Sequence, residues 1–264
     1  MNQKLFQIKQ YINYQLVAKS RLGHGVHSPF VYDLIEQVFN HEGNYYAFNK
    51  IEKQRSKLLK SDKIIEIEDF GAGSSVNKHK KRKLSSIAST ALLDSNHAQL
   101  LFRLVNRFQT QNIIELGSSL GITSSYLSFA RKKSNIYTFE GSPEIAKIAE
   151  NTFKQLKLSN IELHFGEFSN TLPQVLEKID TVDFAFIDGN HRYEPTIKYF
   201  EMLLKKATND SVFVFDDIYW SEGMAQAWKE IIARPEVSVS IDLYRMGIIF
   251  FRKESTKENF VVKF

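Results

Sequence analysis

Cysteine does not occur in this 264-residue sequence, which excludes disulfides, thiolate zinc sites and cysteine nucleophiles together. No apolar run approaches the roughly 20 residues that a membrane-spanning helix requires. The opening segment, MNQKLFQIKQYINYQ, mixes polar and apolar residues at helical spacing and lacks the apolar centre and small-residue cleavage site of a secretory signal. A cytoplasmic protein is the expectation. Internal repeats and low-complexity linkers are missing too, and there is no acidic excess. The net charge is +5 and the pI about 9.1. Much of that excess sits in one run, NKHKKRK at Asn77–Lys83, which predicts a solvated loop rather than a nucleic-acid patch.

What is present is a regular alternation from about Ile113 to Lys253. NIIELG, NIYTFEG, NIELHFG, VDFAFIDG and SVFVFDD read as strands, each followed by a helical pattern. The second helix opens on Ser142 as N-cap, with Pro143 and Glu144 in its first turn. The helix after NIELHFG is expected to be interrupted at Pro173. VSVSIDLY and GIIFFRK then follow so closely that only an antiparallel hairpin connects them. The prediction is an α/β fold, a doubly wound, Rossmann-like sheet of seven strands with the last one antiparallel. The first ~90 residues are mostly helical, with a strand-like KIIEIEDFG. The expected division is a helical extension over 1–92, a catalytic-type domain over 93–254 and a tail over 255–264.

Two glycine stretches compete as a ligand cradle, EDFGAGSS at Glu68–Ser75 and IELGSSLG at Ile114–Gly121. A cofactor turn lies between a strand and a helix N-terminus, and an acidic residue about 20 positions on receives the ribose hydroxyls. The second stretch meets both demands, because Glu140 closes the next strand 23 residues beyond Gly117. The first is followed by a basic run and by no strand ending in an acid, so it is expected to be a structural turn.

Glu115-Leu-Gly117-Ser-Ser-Leu-Gly121 resembles the E/DxGxxxG first motif of class I S-adenosylmethionine-dependent methyltransferases, over roughly Leu93–Lys253. The resemblance implies that Glu115, Gly117, Ser118 and Gly121 surround the methionine part of S-adenosylmethionine. It further implies that Glu140 holds the ribose and that Glu167 and Phe168 border the adenine.

Two apolar strands end in carboxylates, Asp188 in FIDGNH and Asp216-Asp217 in FVFDDIYW. Ligands in such sheets lie beyond the carboxyl ends of the strands. Three hard oxygen donors there suit Mg²⁺, and a metal would lower the pKa of an acceptor hydroxyl. The 28-residue separation of Asp188 and Asp216 is similar to that in metal-dependent catechol-type O-methyltransferases. Two departures stand out: the pair is Asp-Asp rather than Asp-Asn, and His191 replaces a lysine base. The expected catalytic residues are Asp188 and His191, and the expected metal ligands Asp188, Asp216 and Asp217.

FIDGNHRYEPTIKYF and VFDDIYW most resemble a bacterial branch of class I methyltransferases with O-methyltransferase-like sheets. RLGHGVHSPFVYDLI, with His24 and His27, is similar to a form of that branch and is a candidate lid. The implied activity is O-methylation of a small molecule, with magnesium assisting. The alternative is an RNA or protein methyltransferase without metal, although DGNH is not the [DN]-P-P-[YFW] loop of amino-group nucleobase methyltransferases. A small-molecule acceptor is expected, nucleic acid is not favoured, no membrane is involved, and a homodimer is compatible with the chain.

Overall fold

The apolar runs become strands because their residues are removed from water nearly completely. Ile113, Ile114, Leu116, Phe184, Phe186, Phe213 and Val214 have no exposed surface, and burying such a side chain is worth about 1.5–3 kcal/mol. The structure is a computed structural model that describes residues 3–43, 45–67 and 80–264. It comprises two compact units, Met1–Glu42 together with Asp180–Phe264, and Gly43–Ile179. The glycine stretch Glu68–Ser75 and residues 77–79 of the basic run lie outside the described residues.

The discontinuous unit begins with α1 (Gln3–Val17), α2 (Pro29–Leu34) and a π-helical turn (Ile35–Phe39). The Tyr14 hydroxyl donates to the Val262 carbonyl at 2.8 Å. Gln3 and Gln7 each donate through Nε2 to the Trp220 carbonyl.

The contiguous unit follows, with α3 (Tyr46–Leu59), β1 (Ile64–Ile67), β2 (Lys80–Lys83), α4 (Leu84–Ala91) and α5 (Ser95–Phe108). β1 and β2 pair antiparallel. The solvated loop expected for the basic run is therefore corrected for Lys80–Lys83, which form a strand because the Ile64–Ile67 backbone offers a partner. Then come β3 (Asn112–Leu116), α6 (Ile122–Ala130), β4 (Asn135–Glu140), α7 (Pro143–Leu156), β5 (Ile161–Phe165) and α8 (Phe168–Leu176). β3, β4 and β5 are parallel neighbours. Ser142 caps α7 by accepting from the Ile145 amide, with Pro143 in the first turn. α8 runs through Pro173 rather than breaking there, because the proline removes one donor while the Glu177 amide still reaches the Pro173 carbonyl.

The discontinuous unit resumes with β6 (Phe184–Ile187), α9 (Tyr193–Leu204), β7 (Val212–Asp216), α10 (Glu222–Ala233), β8 (Val239–Asp242), β9 (Met246–Phe250) and β10 (Glu258–Val261). β6 and β7 are parallel, while β9 runs antiparallel between β7 and β8, as the hairpin predicts. β10 adds a strand parallel to β8, so part of the expected tail belongs to the sheet.

Candidate functional site

The sequence-predicted residues fall into two groups, one in each unit. In the contiguous unit, β3 delivers Glu115 into a fully buried position. One carboxylate oxygen accepts from the Thr138 hydroxyl at 2.5 Å and from the Ser124 hydroxyl. The other, Oε1, is buried without a protein partner. Burial pushes the Glu115 carboxyl up to about 7, against the lowering effect of the two hydroxyls. A buried carboxylate oxygen left open in this way suits a ligand cation such as an ammonium group.

Beyond Glu115 the chain turns sharply. Gly117 and Gly121 have φ of 105° and 80°, and Ser119 lies at 46°, in the left-handed region that favours glycine. The Gly117 and Ser118 amides both donate to the Phe139 carbonyl, and the Ser118 and Thr138 hydroxyls are 2.6 Å apart. These bonds fasten the turn to β4. Glu140, at the end of β4, accepts from the Ser119 and Ser142 amides, each at 3.0 Å. Backbone donors fix that carboxylate and leave it further lone pairs for hydroxyl donors. The Gly166 amide donates to the Glu140 carbonyl at 2.8 Å, which brings Glu167 and Phe168 to the same edge. Phe168 meets the Phe139 ring edge-on, and Glu167 is exposed. Glu115, Gly117, Ser118 and Glu140 are thus brought together, with the 166–168 turn beside them.

Gly121 also has a packing role. A Cβ there would come within 2.7 Å of the Phe153 ring and 3.1 Å of the Ala149 Cα. Gly121→Ala is therefore expected to destabilise the chain by about 1–3 kcal/mol through overpacking and strain. Urea unfolding checks this, and an unchanged midpoint would show that α7 gives way.

In the discontinuous unit, β6 and β7 run side by side with Ile187 opposite Phe215, so Asp188 and Asp216 leave adjacent strand ends. His191 Nε2 lies 3.5 Å from the Asp188 carboxylate. Asp216 is 2% exposed, and burial pushes its carboxyl up, reinforced by Asp217 and opposed by Arg245 and His191. Arg245 was not singled out by the sequence reading. Its Nε and Nη2 each lie 3.4 Å from an Asp216 carboxylate oxygen. The hairpin carried the missing signal, since antiparallel return of β9 along β7 sets Met246 opposite Asp216 and so places Arg245 at the acidic end.

The expected magnesium site at Asp188, Asp216 and Asp217 does not form. Among the described residues no three His, Asp or Glu side chains converge to hold a metal ion. Asp216 is committed to Arg245 and Asp188 faces His191, while Asp217 takes a left-handed φ of 52°. This donor set does not suit a hard divalent cation, which needs several oxygens free to turn toward it.

A family model described as a methyltransferase domain matches residues 114–218, which span the glycine turn, Glu140, Asp188, Asp216 and Asp217. Residues 114–218 are thus similar to a methyltransferase domain. The catechol O-methyltransferase of Niastella koreensis is 27% identical over 126 residues, covering 47% of this chain and 56% of that protein. The chain thus spans little more than half the length of that relative. An O-methyltransferase from Bacillus cereus, solved with SAH, has a TM-score of 0.58 at 16% identity, covering 80% of this chain and 93% of its own. A methyltransferase from Podospora anserina, also SAH-bound, reaches 0.60 at 12% identity, covering 86% and 97%. These likenesses support the class I fold around the methyltransferase domain. No described helix is long and apolar enough to cross a membrane.

Proposed function

We propose that this chain transfers a methyl group from S-adenosylmethionine to the hydroxyl of a small molecule. The observation that carries the reading is the buried Glu115 carboxylate with an unpartnered oxygen, fastened through Thr138 to the strand that ends in Glu140. In a methyltransferase domain, Glu115 would meet the cofactor's ammonium and Glu140 its ribose, with Phe168 beside the adenine. S-adenosylmethionine, when bound, supplies an electrophilic methyl group on a sulfonium that leaves as a neutral thioether.

The protein's own share is alignment and proton removal. His191 is the base, because imidazole accepts a proton near neutral pH and Asp188 lies 3.5 Å away to orient the ring and stabilise its charged form. Magnesium assistance is not part of this reading, because Asp216 is held by Arg245. A small-molecule acceptor agrees with the likeness to a catechol O-methyltransferase; an RNA or protein acceptor has no comparable support.

Calorimetric titration of S-adenosylmethionine into the chain in EDTA tests the reading. Micromolar binding, roughly −8 kcal/mol, is expected. Absence of binding heat at several temperatures would overturn the donor assignment.

A further inference from the structure

Arg245 lies in the short connection between β8 and β9, and that connection is rigidly built. The Tyr244 amide donates to the Asp242 carboxylate at 2.7 Å, the Arg245 amide to the Leu243 carbonyl at 2.9 Å, and the Ile218 amide to the Arg245 carbonyl at 3.3 Å. Tyr244 holds a φ of 68°, and its ring stacks on Tyr219. The backbone therefore fixes where the guanidinium starts. Its side chain is 37% exposed, whereas its partner Asp216 is 2% exposed. The Arg245 side chain is thus partly exposed although the carboxylate it faces is buried. The adjacent strand end carries Asp188, with His191 Nε2 3.5 Å from its carboxylate.

We propose that Arg245 is the resident cation of the acceptor site, its guanidinium held on Asp216 and turned to the acceptor oxygen as His191 removes the proton. The proposal rests on the methyltransferase reading above and goes beyond it by assigning the positive charge to the chain itself. A guanidinium suits this work: it stays charged at any working pH, is weakly hydrated and presents a planar fork of donors. It stabilises the oxyanion that forms when the hydroxyl proton passes to His191. The methyl group then bonds to that oxygen as the carbon–sulfur bond breaks, its electron pair staying on the sulfur.

The experiment uses the full chain and two probes, 4-nitrocatechol, whose ionised form is seen by absorbance, and Mn²⁺, followed by electron paramagnetic resonance. In EDTA with S-adenosylmethionine, the native chain is expected to bind 4-nitrocatechol in its ionised form. Arg245→Gln should weaken that binding about tenfold or more, as loss of a charge-assisted hydrogen bond does, and Arg245→Lys should restore part of it. The native chain should show no Mn²⁺ binding tighter than millimolar, and Arg245→Gln should gain at least about tenfold in Mn²⁺ affinity. The double variant Asp216→Asn/Arg245→Gln removes both charges, so it avoids leaving a bare buried carboxylate and should also fail to ionise the probe. Native chain that leaves the probe un-ionised in EDTA overturns the proposal, as does native Mn²⁺ affinity equal to that of Arg245→Gln or ionisation by Arg245→Gln at the native level. Loss of S-adenosylmethionine binding in the native chain would instead sink the underlying methyltransferase reading.

Discussion

His191→Ala is expected to lower methyl transfer to a catechol probe by about 10²- to 10⁴-fold, the usual range for loss of a positioned general base. Affinity for S-adenosylmethionine should stay within about twofold of the native value, because His191 is not among the residues assigned to the donor. The residues assigned to the cofactor are on the contiguous unit, whereas His191 and its partner Asp188 follow β6 of the other. Asp188→Asn should cost less than His191→Ala, since the base survives and loses only its charged partner, 3.5 Å away. Added imidazole should restore part of the His191→Ala loss and none of the loss in a variant damaged at the cofactor residues. Single-turnover rates with labelled donor measure all three. Native turnover in His191→Ala would place the base elsewhere.

Glu115→Gln should weaken S-adenosylmethionine binding by about 10- to 100-fold, the scale of a lost hydrogen bond to a charged group. The same change should make the chain more stable at high pH. Burial raises the Glu115 carboxyl from its ordinary 4.5 to about 7, so the folded chain holds a proton that the unfolded chain releases across that window. The contribution of Glu115 to stability is therefore full below about 4.5 and is lost as pH rises through about 7. Glutamine has no proton to lose. The variant and native melting temperatures should converge near pH 4.5 and separate by pH 8, where the variant gains at most on the order of 3 kcal/mol. Saturating donor should narrow the gap, because its cation supplies the missing countercharge. Thermal melts from pH 4.5 to 8, with and without S-adenosylmethionine, decide this; parallel curves would mean that Glu115 stays ionised.

Much of this site could be read from local pattern. The strand–helix alternation predicts β3 to β7, and the burial of β6 and β7 is written in consecutive residues, FAFI and VFVFD. The glycine turn and Glu140 follow from spacing, and Glu115 from the resemblance of its motif. What escaped reading depends on partners remote in the chain. KKRK has no apolar residue to mark it as β2, and its pairing with IIEI is set by backbone hydrogen bonds. ENFV is only partly buried and becomes β10 because the edge of β8 accepts it. The metal expectation finds no support among the described residues for a similar reason. Carboxylates at adjacent strand ends look like ligands until the β9 return brings in Arg245, 29 residues from Asp216, to neutralise one of them.

The bond between Tyr14 and Val262 joins residues 248 positions apart, and a bridge between Lys19 and Val262 lies beside it. A ribosome adding 5–20 residues per second needs roughly 12–50 s to make the second partner after the first. Throughout that interval the Val262 carbonyl that receives the Tyr14 hydroxyl does not yet exist. The whole of Gly43–Ile179 is made in between, with every strand of its β3–β4–β5 ladder already in hand. Order of synthesis thus puts the residues proposed to hold the donor on the nascent chain first, while the proposed base and Arg245 follow. A chain cut short after Ile179 would, on the proposed reading, carry the first set and lack the second.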